Sequence, residues 1–153
     1  MICLEFALKH NVLEDSVSYN PIYTELEAIL YHTGEVNVIE GFEGDIVKEF
    51  HELIKKENIF CAYNLWGFHL PYICKKFIKY GLEVPAKINV NLIKPWEANH
   101  LKDLMRLWSF GAQADSFDSV CTYLWDKKAE APRERLGLLV ELKNKLIQIK
   151  LKK

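Results

Sequence analysis

Short apolar segments flank one strongly amphipathic segment, and this order constrains the fold more than any other feature. Residues 2–8 and 59–63 are apolar runs too brief for several helical turns, which predicts buried strands. Between them, residues 45–56 carry apolar side chains at the i, i+1, i+4, i+7, i+8 spacing of a helix face. A mixed sheet covered by helices would bury both kinds of segment, so the sequence predicts an α/β fold.

The other predicted elements fit the same architecture. Two further strands are expected near the N-terminus, after a loop, and several helices towards the C-terminus. Loop formers occupy residues 11–21, strands are predicted at 26–32 and 36–39 with a turn at 33–35, and helices at 70–80 and 117–124. Residues 101–110 suit a strand that leads into a helical turn. Pro132 suits the first turn of a closing helix, although the alternation at residues 147–151 also permits a terminal strand.

Composition supports one folded domain that spans residues 1–153. Half of the 153 residues are hydrophobic, with only seven glycines and five prolines, which argues against disorder and low-complexity linkers. No apolar run approaches the roughly 20 residues that cross a bilayer, and the N-terminus lacks a signal-peptide pattern, so we expect a cytoplasmic protein without membrane contact. The four cysteines form no CxxC pair, and reduced, packed thiols are the simplest interpretation.

Charge is distributed unevenly, although the net charge is only −1. Residues 1–50 contain ten acidic and two basic residues, a balance of −8, and the rest of the chain compensates with +7. The last stretch, residues 133–153, has seven basic and two acidic residues. Such a stretch can attract phosphate or an acidic protein surface, and it can equally be the solvated face of a helix.

Two central stretches carry a family resemblance. Residues 59–85 read IFCAYNLWGFHLPYICKKFIKYGLEVP, and residues 94–111 read KPWEANHLKDLMRLWSFG. The first resembles the second motif region of the DnaQ-like (DEDD) 3′-5′ exonucleases. The second resembles the Lys-Pro-Trp-Glu signature of the branch related to the exonuclease domain of family B DNA polymerases. The resemblance implies a ribonuclease H-like mixed sheet flanked by helices.

The family's metal ligands are largely replaced. The resemblance implies four acidic residues that hold two divalent metals, and the first motif, Asp-x-Glu, corresponds here to Cys3-Leu4-Glu5. A shifted register instead puts Glu5 at the Asp position and Ala7 at the Glu position. In the second motif, Asn64 matches the family's Asn, and His69 stands where the family has Asp.

The third motif, Tyr-x-x-x-Asp, has no counterpart after residue 116, and Leu139 and Lys143 are the positional match. With three of four anionic ligands gone, magnesium should not be held. We therefore predict a noncatalytic exonuclease-like protein, a pseudoenzyme without cofactor, that binds nucleic acid or a protein partner in a decoy or regulatory role. The alternative is a residual metal-dependent 3′-5′ exonuclease on single-stranded nucleic acid that recruits acids such as Glu40, Glu43 or Glu141.

Candidate nucleic-acid contacts surround the replaced ligands. Trp66 and Phe68 could stack on bases of a single strand, or could anchor the loop in the core. Lys75, Lys76 and Lys79 are predicted on the exposed face of the helix at 70–80, where they could meet phosphates or simply be solvated.

Cys3 and His69 allow two further interpretations, and two tryptophans are expected in the core. Cys3, Glu5 and His69 could converge and bind zinc or manganese, although packing of Cys3 as a small apolar side chain is the simpler expectation. A nucleophilic Cys3 with His69 as its base is less favoured still. Trp96 and Trp108 lie in apolar segments, so we expect both to pack internally.

Overall fold

The computed structural model describes residues 1–9 and 24–151, with side chains as far as residue 147. The predicted loop at 11–21 therefore lies outside the described residues. Five strands are present: β1 (Ile2–Leu8), β2 (Leu26–His32), β3 (Val36–Glu40), β4 (Phe60–Ala62) and β5 (Leu101–Asp103). The α-helices are α1 (Glu43–Lys56), α2 (Leu70–Lys79), α3 (Leu104–Ser109), α4 (Phe117–Trp125) and α5 (Pro132–Leu151).

The strands form one mixed sheet in the order β3-β2-β1-β4-β5. The pairs β1–β2 and β2–β3 are antiparallel, whereas β1–β4 and β4–β5 are parallel. Antiparallel neighbours need only a short turn, and parallel neighbours need a crossover such as a helix. This arrangement confirms the predicted α/β class, and a five-stranded mixed sheet flanked by helices is consistent with the ribonuclease H-like fold.

Alternation along β1 separates two core layers. Ile2, Leu4 and Phe6 pack on one face of the sheet with apolar side chains of α1 and α2. Cys3 lies on the opposite face, in a cluster formed with α3, α4 and α5. Successive side chains of a strand point to opposite faces, so one strand contributes to both layers and aims Glu5 at the α5 side.

The predicted elements are present with small shifts at their ends. The predicted strand and helical turn at 101–110 are β5 and α3, and Ser116 caps α4 through its side-chain oxygen, which accepts from the Ser119 N–H. The closing segment is a helix rather than a strand, because Leu138 and Leu142 pack it against the sheet. In the part of the chain that the structure describes, no helix has the length and apolar character to span a bilayer.

Candidate functional site

A cleft of about 1230 Å³ opens beside β1. Its walls come from β1, β2 and β3, from the turn after β4, and from the beginnings of α4 and α5. Glu5, Asn64, Phe68 and His69 all line it, so the structure brings these four predicted site residues to one place. Ala7 also lines the cleft, whereas Cys3 is not among its described lining residues.

At the centre of the cleft, Arg135 joins two carboxylates. Its Nε lies 2.7 Å from Oε1 of Glu5, and its Nη1 lies 2.9 Å from Oδ1 of Asp118. The Glu5 and Arg135 side chains are only 15% and 30% exposed. The guanidinium also lies over the Phe117 ring, 5.0 Å from its centroid. A guanidinium is planar and always charged, which suits it to bridge acids in a half-buried setting.

Burial and pairing act in opposite directions on these groups. Burial raises the pKa of Glu5 above its usual value, and the adjacent Arg135 only partly offsets this effect. Burial alone would lower the pKa of Arg135, but the charges of Glu5 and Asp118 outweigh it and raise that pKa. Arg135 therefore stays cationic, and a positive charge occupies the position between the two acids.

His69 is positioned by an unusual turn. Asn64 adopts a left-handed conformation with φ of 70°, and its carbonyl accepts from the Phe68 N–H at 2.9 Å. The same carbonyl lies 3.4 Å from Nδ1 of His69, within a π-helical turn over Leu65–His69. Burial lowers the pKa of His69 to about 4. The imidazole is therefore neutral at pH 7.

Asp103 holds this turn in place. Its carboxylate accepts from the backbone N–H of Asn64 at 2.9 Å, of Trp66 at 3.1 Å and of Met105 at 3.1 Å. Each of these groups lies at the start of a helical turn and has no partner within its own turn. Asp103 is thus committed to organising the turn after β4 and the N-terminus of α3, and it does not line the cleft.

Cys3, Glu5 and His69, weighed above as a possible zinc or manganese site, do not gather as one in the described residues. Cys3 is 1% exposed and pairs across β1–β4 with Cys61. It shares the α5-side face of β1 with Glu5, but it is packed in the core with α3, α4 and α5 and is not among the described residues that line the cleft. Across residues 1–9 and 24–151, no group of three or more His, Cys, Asp or Glu side chains is placed to hold a metal. Burial at this position also leaves Cys3 no path to a substrate.

The region predicted to match the third motif supplies no carboxylate. Leu139 lines the cleft, and Lys143 is half-buried one helical turn further along α5. Of the acids suggested as replacements, Glu40 lines the cleft, Glu141 is exposed on α5 and is not among the described lining residues, and Glu43 is buried elsewhere.

The predicted exposed row of lysines is wrong for Lys76. Its side chain is 2% exposed, and its Nζ lies 2.9 Å from Oε2 of Glu43 and 2.8 Å from the Thr24 carbonyl. Lys75 and Lys79 are exposed, and Lys79 also approaches Glu43 at 3.4 Å. Position 76 lies four residues after Tyr72 on a helix, and it therefore shares the face that packs inward.

Glu43 makes the burial of Lys76 possible. Burial alone would raise the pKa of this carboxyl, but hydrogen bonds from the Leu26 N–H, the Tyr80 hydroxyl and Lys76 outweigh it and lower the pKa. A buried ion pair requires such additional hydrogen bonds. Acidic residues are common in first turns of helices, so sequence reasoning had no signal that Glu43 is a core residue.

The aromatic side chains have different surroundings. Phe68 lines the cleft and contacts the rings of Phe6 and His69. Trp66 is half-buried and stacks with Arg106, whose guanidinium lies 5.3 Å from the ring centroid. The expectation that Trp96 packs internally is wrong, because this side chain is 75% exposed.

Trp108 is partly buried against the α5-side core, as expected. It also contacts Tyr123 with ring centroids 6.0 Å apart, and its Nε1 donates to Asp115 at 2.9 Å. Both partners anchor the ring, and neither lines the cleft.

Sequence reasoning missed Arg135 and Asp118 as site residues. Arg135 lies 130 positions from Glu5 in the chain, and no spacing pattern connects them. The one available signal is position, because Arg135 lies in the first turn of the closing helix, the element in which the resemblance implies the third motif.

Comparisons with known proteins support the architecture. No protein-family model and no curated protein matches the sequence. Among solved structures, the chain is similar to the family B DNA polymerase from the hyperthermophilic archaeon Pyrobaculum calidifontis, with a TM-score of 0.57 and 16% identity. The match covers 83% of this chain and 18% of that chain, so this protein spans only a small part of the polymerase's length. At this identity, the likeness shows that the two share a fold.

Proposed function

We propose that this protein is a noncatalytic relative of the DnaQ-like 3′-5′ exonucleases that acts by binding a macromolecular partner in the cleft. The observation that carries the proposal is the guanidinium of Arg135 between Glu5 and Asp118. In a two-metal nuclease, the acids at such a centre hold dications that activate water and stabilise the leaving oxygen. Here a side-chain cation already pairs with both acids.

The donor set does not fit a magnesium pair. Mg²⁺ takes oxygen ligands, and its protein ligands are usually carboxylates. The centre of the cleft offers Glu5 and Asp118, and both are engaged with Arg135. The neutral imidazole of His69 is a poor ligand for Mg²⁺. A dication placed there would also be repelled by the guanidinium of Arg135.

Two further observations support the family assignment. The sequence stretches at 59–85 and 94–111 resemble the second motif region and the Lys-Pro-Trp-Glu region. The fold is similar to that of a chain of a family B DNA polymerase. A scaffold that keeps its shape while its charged ligands are replaced is what we expect of a binding protein derived from an enzyme.

A metal titration combined with a digestion assay tests this proposal. We expect no saturable heat when Mg²⁺ or Mn²⁺ is titrated into the protein, and no shortening of end-labelled single-stranded DNA or RNA. Micromolar metal binding together with cleavage that Glu5→Ala abolishes would overturn the proposal in favour of a residual exonuclease. Cleavage that Glu5→Ala leaves unchanged would come from a contaminating nuclease and would agree with the proposal.

A further inference from the structure

The cleft has an excess of negative charge. Glu27, Glu40 and Glu130 line it with exposed side chains, and none of the three forms an ion pair within residues 1–9 and 24–147. Asp118 adds a fourth carboxylate, 46% exposed, beside Arg135. Low-dielectric walls lined by one sign of charge strengthen the attraction for ligands of the opposite sign.

The basic residues of the cleft do not cancel this excess. Arg135 is shared between Glu5 and Asp118, so these three charges sum to −1. Lys9 pairs with Glu25. Arg133, exposed at the start of α5, is the one described lining cation without an ion pair. A nucleic acid strand would bring about one negative charge per nucleotide into these surroundings.

His69 supplies an independent observation. It is 5% exposed and lines the cleft, and its Nδ1 is the ring nitrogen near the Asn64 carbonyl. A carbonyl can only accept, so Nδ1 carries the proton of the neutral ring and Nε2 is an acceptor. Nε2 has no hydrogen-bond partner in the described part of the chain, where every fully buried side-chain nitrogen and oxygen has one. Nε2 is therefore accessible from the cleft and can accept a hydrogen bond from a ligand bound there.

We propose that the occupant of the cleft is a segment of a partner protein that carries lysine or arginine side chains, an inference that rests on the noncatalytic binding role proposed above. Ammonium and guanidinium groups are cations and hydrogen-bond donors at once, so they match both the carboxylates and the free acceptor of His69. Phosphate oxygens are anionic acceptors, so they would be repelled by the carboxylates and could not donate to Nε2 of His69. Phe68 on the same wall offers its ring to the apolar stems of such side chains.

Fluorescence anisotropy with two labelled probes tests the inference. One probe is a twelve-residue peptide of alternating lysine and serine, and the other is a twelve-nucleotide single strand; both are titrated with the full chain at about 0.1 M salt. The cleft variant is Glu27→Gln, Glu40→Gln and Glu130→Gln combined. The control variant is Glu35→Gln, Glu49→Gln and Glu97→Gln combined, which removes the same charge from exposed positions outside the described cleft lining.

We expect the peptide to bind, the cleft variant to weaken it about tenfold or more, and the control variant to change it less than about threefold. His69→Phe, made alone, should also weaken peptide binding, and it does so without changing the net charge at pH 7. Equal weakening by both triple variants, or no peptide binding at all, would overturn the inference. The inference would also be overturned if the single strand bound tightly and the cleft variant changed that binding. These results leave the metal and digestion assays, which decide catalysis, unaffected.

Discussion

Nε of Arg135 lies 2.7 Å from Oε1 of Glu5, although the residues are 130 positions apart in the chain. The contact joins the first turn of the closing helix to the central strand of the sheet. It places a fixed positive charge between Glu5 and Asp118. The same contact joins α5 to the sheet and is the observation on which the proposed noncatalytic role rests.

Replacement of Arg135 should destabilise the protein. Arg135→Ala leaves the buried Glu5 carboxylate without its partner, and we expect a loss of about 2–3 kcal/mol in the free energy of unfolding, measured with urea at pH 7. Arg133→Ala is the matched control, because this exposed arginine is in no described ion pair, and it should change stability by less than about 0.5 kcal/mol. Equal effects of the two variants would show that the Glu5 contact contributes little.

Stability should fall as the pH is lowered from about 6.5 towards 4. The folded state holds the pKa of His69 at about 4, below its ordinary 6.5, so between these values the unfolded chain binds more protons. The group's contribution is complete above pH 6.5 and decreases by about 3 kcal/mol by pH 4. His69→Phe should flatten this part of the stability profile. An unchanged slope in His69→Phe would contradict this prediction.

Lys76 should behave as a core residue despite its charge. Lys76→Met leaves Glu43 buried without its main cation, and we expect a loss of about 3–5 kcal/mol in the free energy of unfolding. Lys75→Met, one position away and exposed, should be nearly neutral. Adding Glu43→Gln to Lys76→Met should recover part of the loss, because the uncompensated charge is then gone. Chemical denaturation of the four proteins would measure these differences.

Asp103 should control the geometry of the turn that carries His69. Asp103→Ala leaves the N–H groups of Asn64, Trp66 and Met105 without their acceptor, at a cost of about 2–4 kcal/mol. Asp103→Asn keeps one carbonyl oxygen and should cost less. Amide hydrogen exchange provides a local readout: Asn64 and Trp66 should exchange faster in Asp103→Ala, beyond the general effect seen for amides of β2. Uniform acceleration across the sheet would contradict this role.

Much of the fold could be predicted because its signals are local. The apolar run of β1 and the periodicity of α1 each report a burial pattern within one element, and the structure confirms both. The same reasoning was wrong for Lys76 and Trp96, because charge and hydrophobicity predict burial only on average. Lys76 can be buried because Glu43 pairs with it, and the two meet only when α1 packs against α2.

The candidate site was predictable only in part, for the same reason. The sequence by itself determined which carboxylates are absent, since His69 and Leu139 stand where the resemblance implies acids, and no tertiary structure can restore them. The tertiary structure decided that Arg135 lies between Glu5 and Asp118, that Cys3 lies outside the cleft lining, and that the remaining charges make the cleft acidic. Side-chain identity is a local property of the chain, whereas charge pairing between distant residues exists only after helix and sheet have packed together.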